Sequence, residues 1–163
     1  MIRHVTGDLF QSDEIDVIAH QVNCRGVMGS GVARQVRQLF PLAFTLYKEQ
    51  CDYHNQFGPN LLGRNQYVNA ELRGRKIIVA NMFAQLDYGY DGKQYTSYDA
   101  LRSCLRSLGA YARKRAAKIG LPYRIACDRG GADWDIVYGM ICEELHDCEV
   151  TLFELSAKEG GLS

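Results

Sequence analysis

Charge of one sign is what this 163-residue chain lacks first: its 19 lysines and arginines are matched by 19 aspartates and glutamates, so no global field draws it to nucleic acid or to an anionic surface. Long apolar runs are also missing. The opening Met-Ile-Arg-His-Val-Thr-Gly-Asp has no apolar signal core, and no stretch approaches a membrane span, so a soluble, cytoplasmic protein without membrane contact is expected. The six cysteines, at 24, 51, 104, 127, 142 and 148, make no Cys-x-x-Cys pair and no Cys/His cluster of zinc-ligand form. They read as reduced thiols, and no metal is expected. Neither a Walker Gly-Lys-Ser/Thr nor a Gly-x-Gly-x-x-Gly fingerprint occurs, and there is no internal repeat. The one local basic stretch, Arg102, Arg106, Arg113, Lys114, Arg115 and Lys118, reads on a helix as a solvated face more readily than as a nucleic-acid surface.

What is present is enough apolar material, 47% of residues, for the core of one domain spanning 1–163. Residues 2–6 and 15–22 have the β-branched, apolar character of buried strands. Helices are predicted over 32–39 and 41–54, with Pro41 tolerated as an early helical residue. Strands over 65–72 and 76–85 form an antiparallel hairpin across Arg73-Gly74-Arg75. An aromatic-rich segment, Leu86 to Thr96, reads as a mobile loop, and Thr96 or Ser97 caps the long helix behind it, whose buried stripe is Tyr98, Leu101, Leu105, Leu108 and Ala112. A strand over 123–128, a helix capped by Asp133 with Trp134, Val137, Tyr138, Ile141 and Leu145 on its apolar face, and a strand over 148–155 complete the chain. Alternating strands and helices with one hairpin imply a mixed sheet between helical layers.

The most informative stretch is His20 to Ala33, where an apolar strand enters a loop with glycines at 26, 29 and 31 and then a helix. Glycine permits positive φ and close backbone approach, and free N–H groups at a helix start attract anions, so a phosphorylated ligand fits; a tight turn without ligand is the alternative. A second glycine loop, 128–132, also follows a strand and precedes a helix. Ligands in such sheets sit at the carboxyl ends of parallel strands, so the two loops converge as a clamp on a diphosphate.

Gly7-Asp8-Leu9, Asn23, Gly29-Ser30-Gly31-Val32-Ala33, Leu121 to Cys127 with Asp133-Trp134, and Val150 to Leu155 together resemble the macrodomain family. The His-x-x-Asn-Cys-x-Gly-x-x-Gly-x-Gly-Val-Ala pattern is similar to the branch holding terminal ADP-ribose glycohydrolases, bacterial DNA-ADP-ribose glycohydrolase antitoxins and yeast ADP-ribose-1''-phosphatase. The resemblance implies a three-layer α/β/α fold with a mixed central sheet, and ADP-ribose as ligand or product without any cofactor. It implies as partners ADP-ribose or an ADP-ribosylated substrate, with nucleic acid only as a modified acceptor, and a monomeric chain. The implied function is hydrolysis of ADP-ribosyl adducts or of ADP-ribose-1''-derivatives, with a non-catalytic reader as the alternative.

For the site, the resemblance implies that Asp8, with Leu9 beside it, contacts adenine next to Phe153; alone, Asp8 reads equally as a turn cap and Phe153 as a core residue. Gly29, Ser30, Gly31 and Val32 form the first phosphate loop, and Arg129, Gly130, Gly131 and Ala132 the second. Asn23 is placed at the distal ribose, although asparagine also suits a left-handed turn. His20, Asn23 and Asp128 are the catalytic candidates, against the plainer reading of His20 as a hydrogen-bonded core histidine. Two departures from the family stand out. Ala126 and Asp128 replace glycines, leaving Asp128 either paired with Arg129 or facing the distal ribose as a base. The nucleophilic lysine of the terminal glycohydrolases falls at Phe83, and their loop aspartate near Gly130, so a lysyl intermediate is not expected.

Overall fold

The computed structural model describes residues 1–156; residues 157–163 of the expected domain lie outside the described residues. Six strands form one sheet: β1 (Ile2–Thr6), β2 (Val17–Asn23), β3 (Asn65–Leu72), β4 (Arg75–Gln85), β5 (Ile119–Pro122) and β6 (Val150–Glu154). Their order across it is β1-β6-β5-β2-β4-β3, parallel throughout except for the antiparallel pair β3 and β4. The hairpin turns at Arg73 and Gly74, both at positive φ, as a two-residue connection requires.

Alternation along the central strands builds the layers. Ile18 and Val22 of β2 and Val79 and Phe83 of β4 join one core with Val36 of α1 (Gly31–Leu39) and with Ala43, Tyr47 and Cys51 of α2 (Pro41–Gln56). Val17 and Ala19 of β2 and Ala80, Met82 and Ala84 of β4 point the other way, into a core with Leu101, Leu105, Leu108 and Ala112 of α3 (Tyr98–Arg115) and Val137 and Ile141 of α4 (Trp134–Glu144). The result is a three-layer α/β/α fold with a mixed sheet. Its caps follow the sequence: Ser97 Oγ accepts from Ala100 N at 3.2 Å, and Asp133 accepts from Asp135 N and Ile136 N. Arg102 and Arg106 of the basic stretch pair with Glu144, and Arg113 with Asp147, so half of that stretch binds α3 to the α4 side.

One predicted strand is displaced. Residues 123–128 are not a strand; β5 lies just before them. Ile119, Gly120 and Leu121 carry the sheet, and a Cβ at Gly120 would collide with Leu9 and Ile15. Beyond Pro122 the chain coils, with Arg124 and Ala126 left-handed at φ 60° and 72° and with turn bonds from Ile125 N to Pro122 O and from Cys127 N to Arg124 O. Left-handed residues break the pleat, which overrides the apolar alternation of Tyr123, Ile125 and Cys127. Tyr138, expected on the apolar face of α4, is 42% exposed instead.

Candidate functional site

At the carboxyl ends of β1, β6, β5, β2 and β4 lies a cavity of about 320 Å³, within the range of small-molecule sites. Its β1/β6 end is walled by Asp8, Leu9, Phe153 and Leu155, its middle by Gly29 to Val32 and by Asp128, Arg129 and Gly130, and its β2/β4 end by His20, Gln21, Asn23 and Gln85. Tyr88, Gly89 and Tyr90 of the 86–96 segment also line it. Gly131 and Ala132 are the two expected ligand residues that do not line it. They act behind the loop: Ala132 N donates to Ala126 O at 3.0 Å, and Gly131, at φ +70°, lies so close to the Lys93 carbonyl that a Cβ would collide.

Asp8 is both a cavity residue and a cap. Its Oδ1 accepts from Phe10 N at 2.9 Å and starts the 3-10 turn Leu9–Gln11. Asn23 is spent largely on its own loop: Nδ2 donates to Val27 O at 2.8 Å, while Oδ1 accepts from Arg25 N at 2.9 Å and from the buried Tyr47 hydroxyl at 2.8 Å. This staple shapes the first loop and delivers the chain to Ser30, whose backbone caps α1 without a side-chain bond. The first N–H groups of α1 face no backbone partner of their own helix, so the cavity meets their positive end.

The second loop is tied to the 86–96 segment. Gly130 O accepts from Tyr95 N at 2.8 Å and Thr96 N at 3.0 Å, and a Cβ on Gly130 would strike Thr96, Ala126 O and Gln21. Arg129 does not pair with Asp128; its guanidinium lies 4.3 Å over the Tyr90 ring. Asp128 is exposed and has no ion pair or hydrogen bond to its carboxylate among the described residues.

His20 is buried, 1% exposed, with Nε2 2.6 Å from Asn81 Oδ1 and no partner for Nδ1. Burial pushes its imidazole down to about 4, outweighing the Asn81 hydrogen bond, so the ring is neutral at pH 7 and lacks the extra proton of an imidazolium acid. Burial likewise holds Cys127, beside the second loop, up at about 11, so it stays a thiol at neutral pH. Among the described residues no group of three His, Cys, Asp or Glu could hold a metal, and no helix is long and apolar enough to cross a membrane. Phe83 is fully buried and stacks 5.8 Å from Tyr47.

Sequence reading missed Gln21. Its Nε2 donates to Gln85 Oε1 at 2.6 Å and Thr96 Oγ1 at 2.9 Å, joining β2 to β4 and the 86–96 segment, and its buried Oε1 has no partner. Two glutamines with unlike neighbours leave no sequence pattern. Tyr88 and Tyr90 could have been found, because aromatic rings in a glycine-bearing loop beside a cleft are a usable signal.

A family model described as Macro domain matches residues 19–141. The chain belongs to the Macro domain family. Among its relatives is an ADP-ribose 1''-phosphate phosphatase of Meyerozyma guilliermondii, 29% identical over 116 residues, covering 70% of this chain and 57% of that protein. A DNA ADP-ribosyl transferase-DNA ADP-ribosyl glycohydrolase fusion protein of Thermosipho africanus is 28% identical over 153 residues, covering 90% of this chain but 39% of that one. The chain thus spans little more than half of the first relative's length and less of the second's. Among solved structures, the macrodomain of Thermus aquaticus DarG superposes with a TM-score of 0.75 at 25% identity, covering 94% of this chain and 98% of that one. The macrodomain match takes in both glycine loops and the β2/β4 end of the cleft, while Asp8 and Phe153 lie outside its bounds.

Proposed function

We propose that the cleft binds ADP-ribose and that the protein hydrolyses ADP-ribosyl adducts, or a 1''-derivative of ADP-ribose, without a metal or a lysyl intermediate. The observation that carries this reading is the continuity of one cavity from Asp8 and Phe153, past both glycine loops, to His20 and Asn23. That order suits a base, a diphosphate and a second ribose. Asp8 offers an acceptor to an exocyclic amine and Phe153 a face for the ring. The start of α1, with Gly29 and Gly31 bare of side chains, takes one phosphate, and the Gly130 loop with Arg129 takes the other. The names of two relatives fit the same chemistry, one acting on ADP-ribose 1''-phosphate and the other on DNA ADP-ribosyl groups.

In this reading Asp128, unpaired in the cleft, accepts the proton of an attacking water as its oxygen bonds to the reacting centre. The acceptor group then departs with the bonding electrons and takes a proton from solvent. His20 contributes as a neutral hydrogen-bond acceptor, and Asn23 by holding the loop. A second reading, a non-catalytic reader of ADP-ribose, follows from the resemblance, which puts the terminal glycohydrolases' lysine at Phe83; that ring is buried against Tyr47 and offers the cleft no nucleophile. Calorimetric titration with ADP-ribose, then incubation with ADP-ribosylated protein, ADP-ribosylated DNA and ADP-ribose 1''-phosphate, separates the two. Binding with turnover of at least one substrate is expected; binding with inactivity on all of them favours the reader, and no binding removes both.

A further inference from the structure

Three polar side chains form one row across the sheet. His20 of β2 is in register with Asn81 of β4, and Asn81 with Gln66 of β3. Gln66 Nε2 lies 3.1 Å from the carbonyl oxygen of Leu46 in α2, Asn81 Nδ2 lies 3.0 Å from Gln66 Oε1, and His20 Nε2 lies 2.6 Å from Asn81 Oδ1. The direction of this chain is set at its far end. A backbone carbonyl only accepts, so Gln66 must present its NH₂ to Leu46 and its oxygen to Asn81. Asn81 must then give its NH₂ to Gln66 and turn its oxygen to His20. An oxygen in that place requires hydrogen on Nε2. The reversed chain would set the Gln66 oxygen against the Leu46 oxygen, two acceptors with no proton between them.

We infer that Asn81 and Gln66 are positioning residues that lock His20 in its Nε2–H tautomer and so present Nδ1 as a fixed acceptor for a hydroxyl of the bound ligand. The inference rests on the reading of the cleft as an ADP-ribose site. His20 lines the β2/β4 end of the cavity, remote in the sheet from Asp8 and Phe153, so the hydroxyl belongs to the second ribose, not to the adenosine. Nδ1 is buried without a protein partner, and a buried acceptor left empty is unfavourable, so a ligand donor gains what the fold leaves unmet. A lone pair there also repels phosphate oxygens, which keeps the diphosphate on the glycine loops and puts the sugar beyond them.

The test is long-range ¹H–¹⁵N correlation spectroscopy of the imidazoles in the full chain, which has four histidines, with His20 assigned by its loss in His20→Asn. Wild type is expected to show Nε2 protonated and Nδ1 bare, and ADP-ribose to shift Nδ1 as it receives a hydrogen bond. Gln66→Leu removes the anchor, so the Asn81 amide can turn over. A mixture of tautomers is expected, with ADP-ribose affinity about tenfold weaker and ADP affinity unchanged. Gln66→Glu keeps one oxygen for Asn81 while its other oxygen turns from the exposed Leu46 contact to solvent; it should restore the single tautomer and most of the affinity, a rescue that a purely structural role would not produce. Nδ1–H in wild type, or a single Nε2–H tautomer persisting in Gln66→Leu, overturns the lock. An unmoved Nδ1 signal while calorimetry records ADP-ribose binding overturns the acceptor role. Failure of the underlying reading looks different: no heat with ADP-ribose, although the tautomers behave as expected. The wild-type spectrum alone decides the polarity, whether or not a variant folds.

Discussion

At the residue scale, Ala126 and His20 each hold a conformation or charge state against an intrinsic preference. Ala126 sits at φ 72°, where a Cβ is crowded. Ala126→Gly removes that crowding, worth about 1 kcal/mol, part of which the freer unfolded chain cancels. A rise in melting temperature of about 2–4 °C at most is expected by calorimetry; a fall would mean that the methyl group packs usefully against the core it borders. His20 titrates near 6.5 when unfolded and near 4 when folded. Between those values the unfolded chain binds the extra proton. The stability contribution is therefore complete above pH 6.5 and is lost as pH falls towards 4, by up to about 3 kcal/mol. Denaturant titrations at several pH values should show this slope, and His20→Gln should flatten it.

At the element scale, Gly29 and Gly31 of the first glycine loop have separable duties. Gly31 is at φ +58° with open space around a would-be Cβ, whereas Gly29 is not left-handed and its Cβ would meet only Val27 and Tyr90 at ordinary distances. Gly29→Val should keep the far-UV circular dichroism and melting temperature near wild type while abolishing ADP-ribose binding, because the side chain occupies the phosphate's approach. Gly31→Val should lose stability as well. Unfolding of Gly29→Val would assign that glycine to the turn. The loop itself was legible, since strand, glycines and helix follow one another without a gap, and so was the hairpin around Gly74. β5 was not. Tyr-Arg-Ile-Ala-Cys alternates as a strand should, and only the left-handed turns at Arg124 and Ala126 move the strand back to Ile119. The lining of the cleft was legible where residue types mark a turn at a strand end, as with Asp8 and the glycines. It was illegible for Asn81, Gln66 and Gln21, whose meaning lies in cross-strand register and in which end of an amide faces which carbonyl.

At the scale of the whole molecule, equal numbers of positive and negative side chains and the pairing of Arg102, Arg106 and Arg113 with acidic residues leave little for unmodified nucleic acid to hold. Fluorescence anisotropy with an unmodified DNA oligonucleotide at physiological salt should show no saturable binding; tight binding that weakens steeply with salt would point to an uncounted basic surface. The chain has a single tryptophan, Trp134, which opens α4 directly after the Asp133 cap and meets Tyr123 edge-on with centroids 5.1 Å apart. Tyr123 lines the cleft. The indole is thus one ring removed from any ligand and alone in its emission band. Occupancy of the cleft should be readable as a change in intrinsic fluorescence, in unlabelled protein and on a stopped-flow timescale, with Trp134→Phe as the dark control.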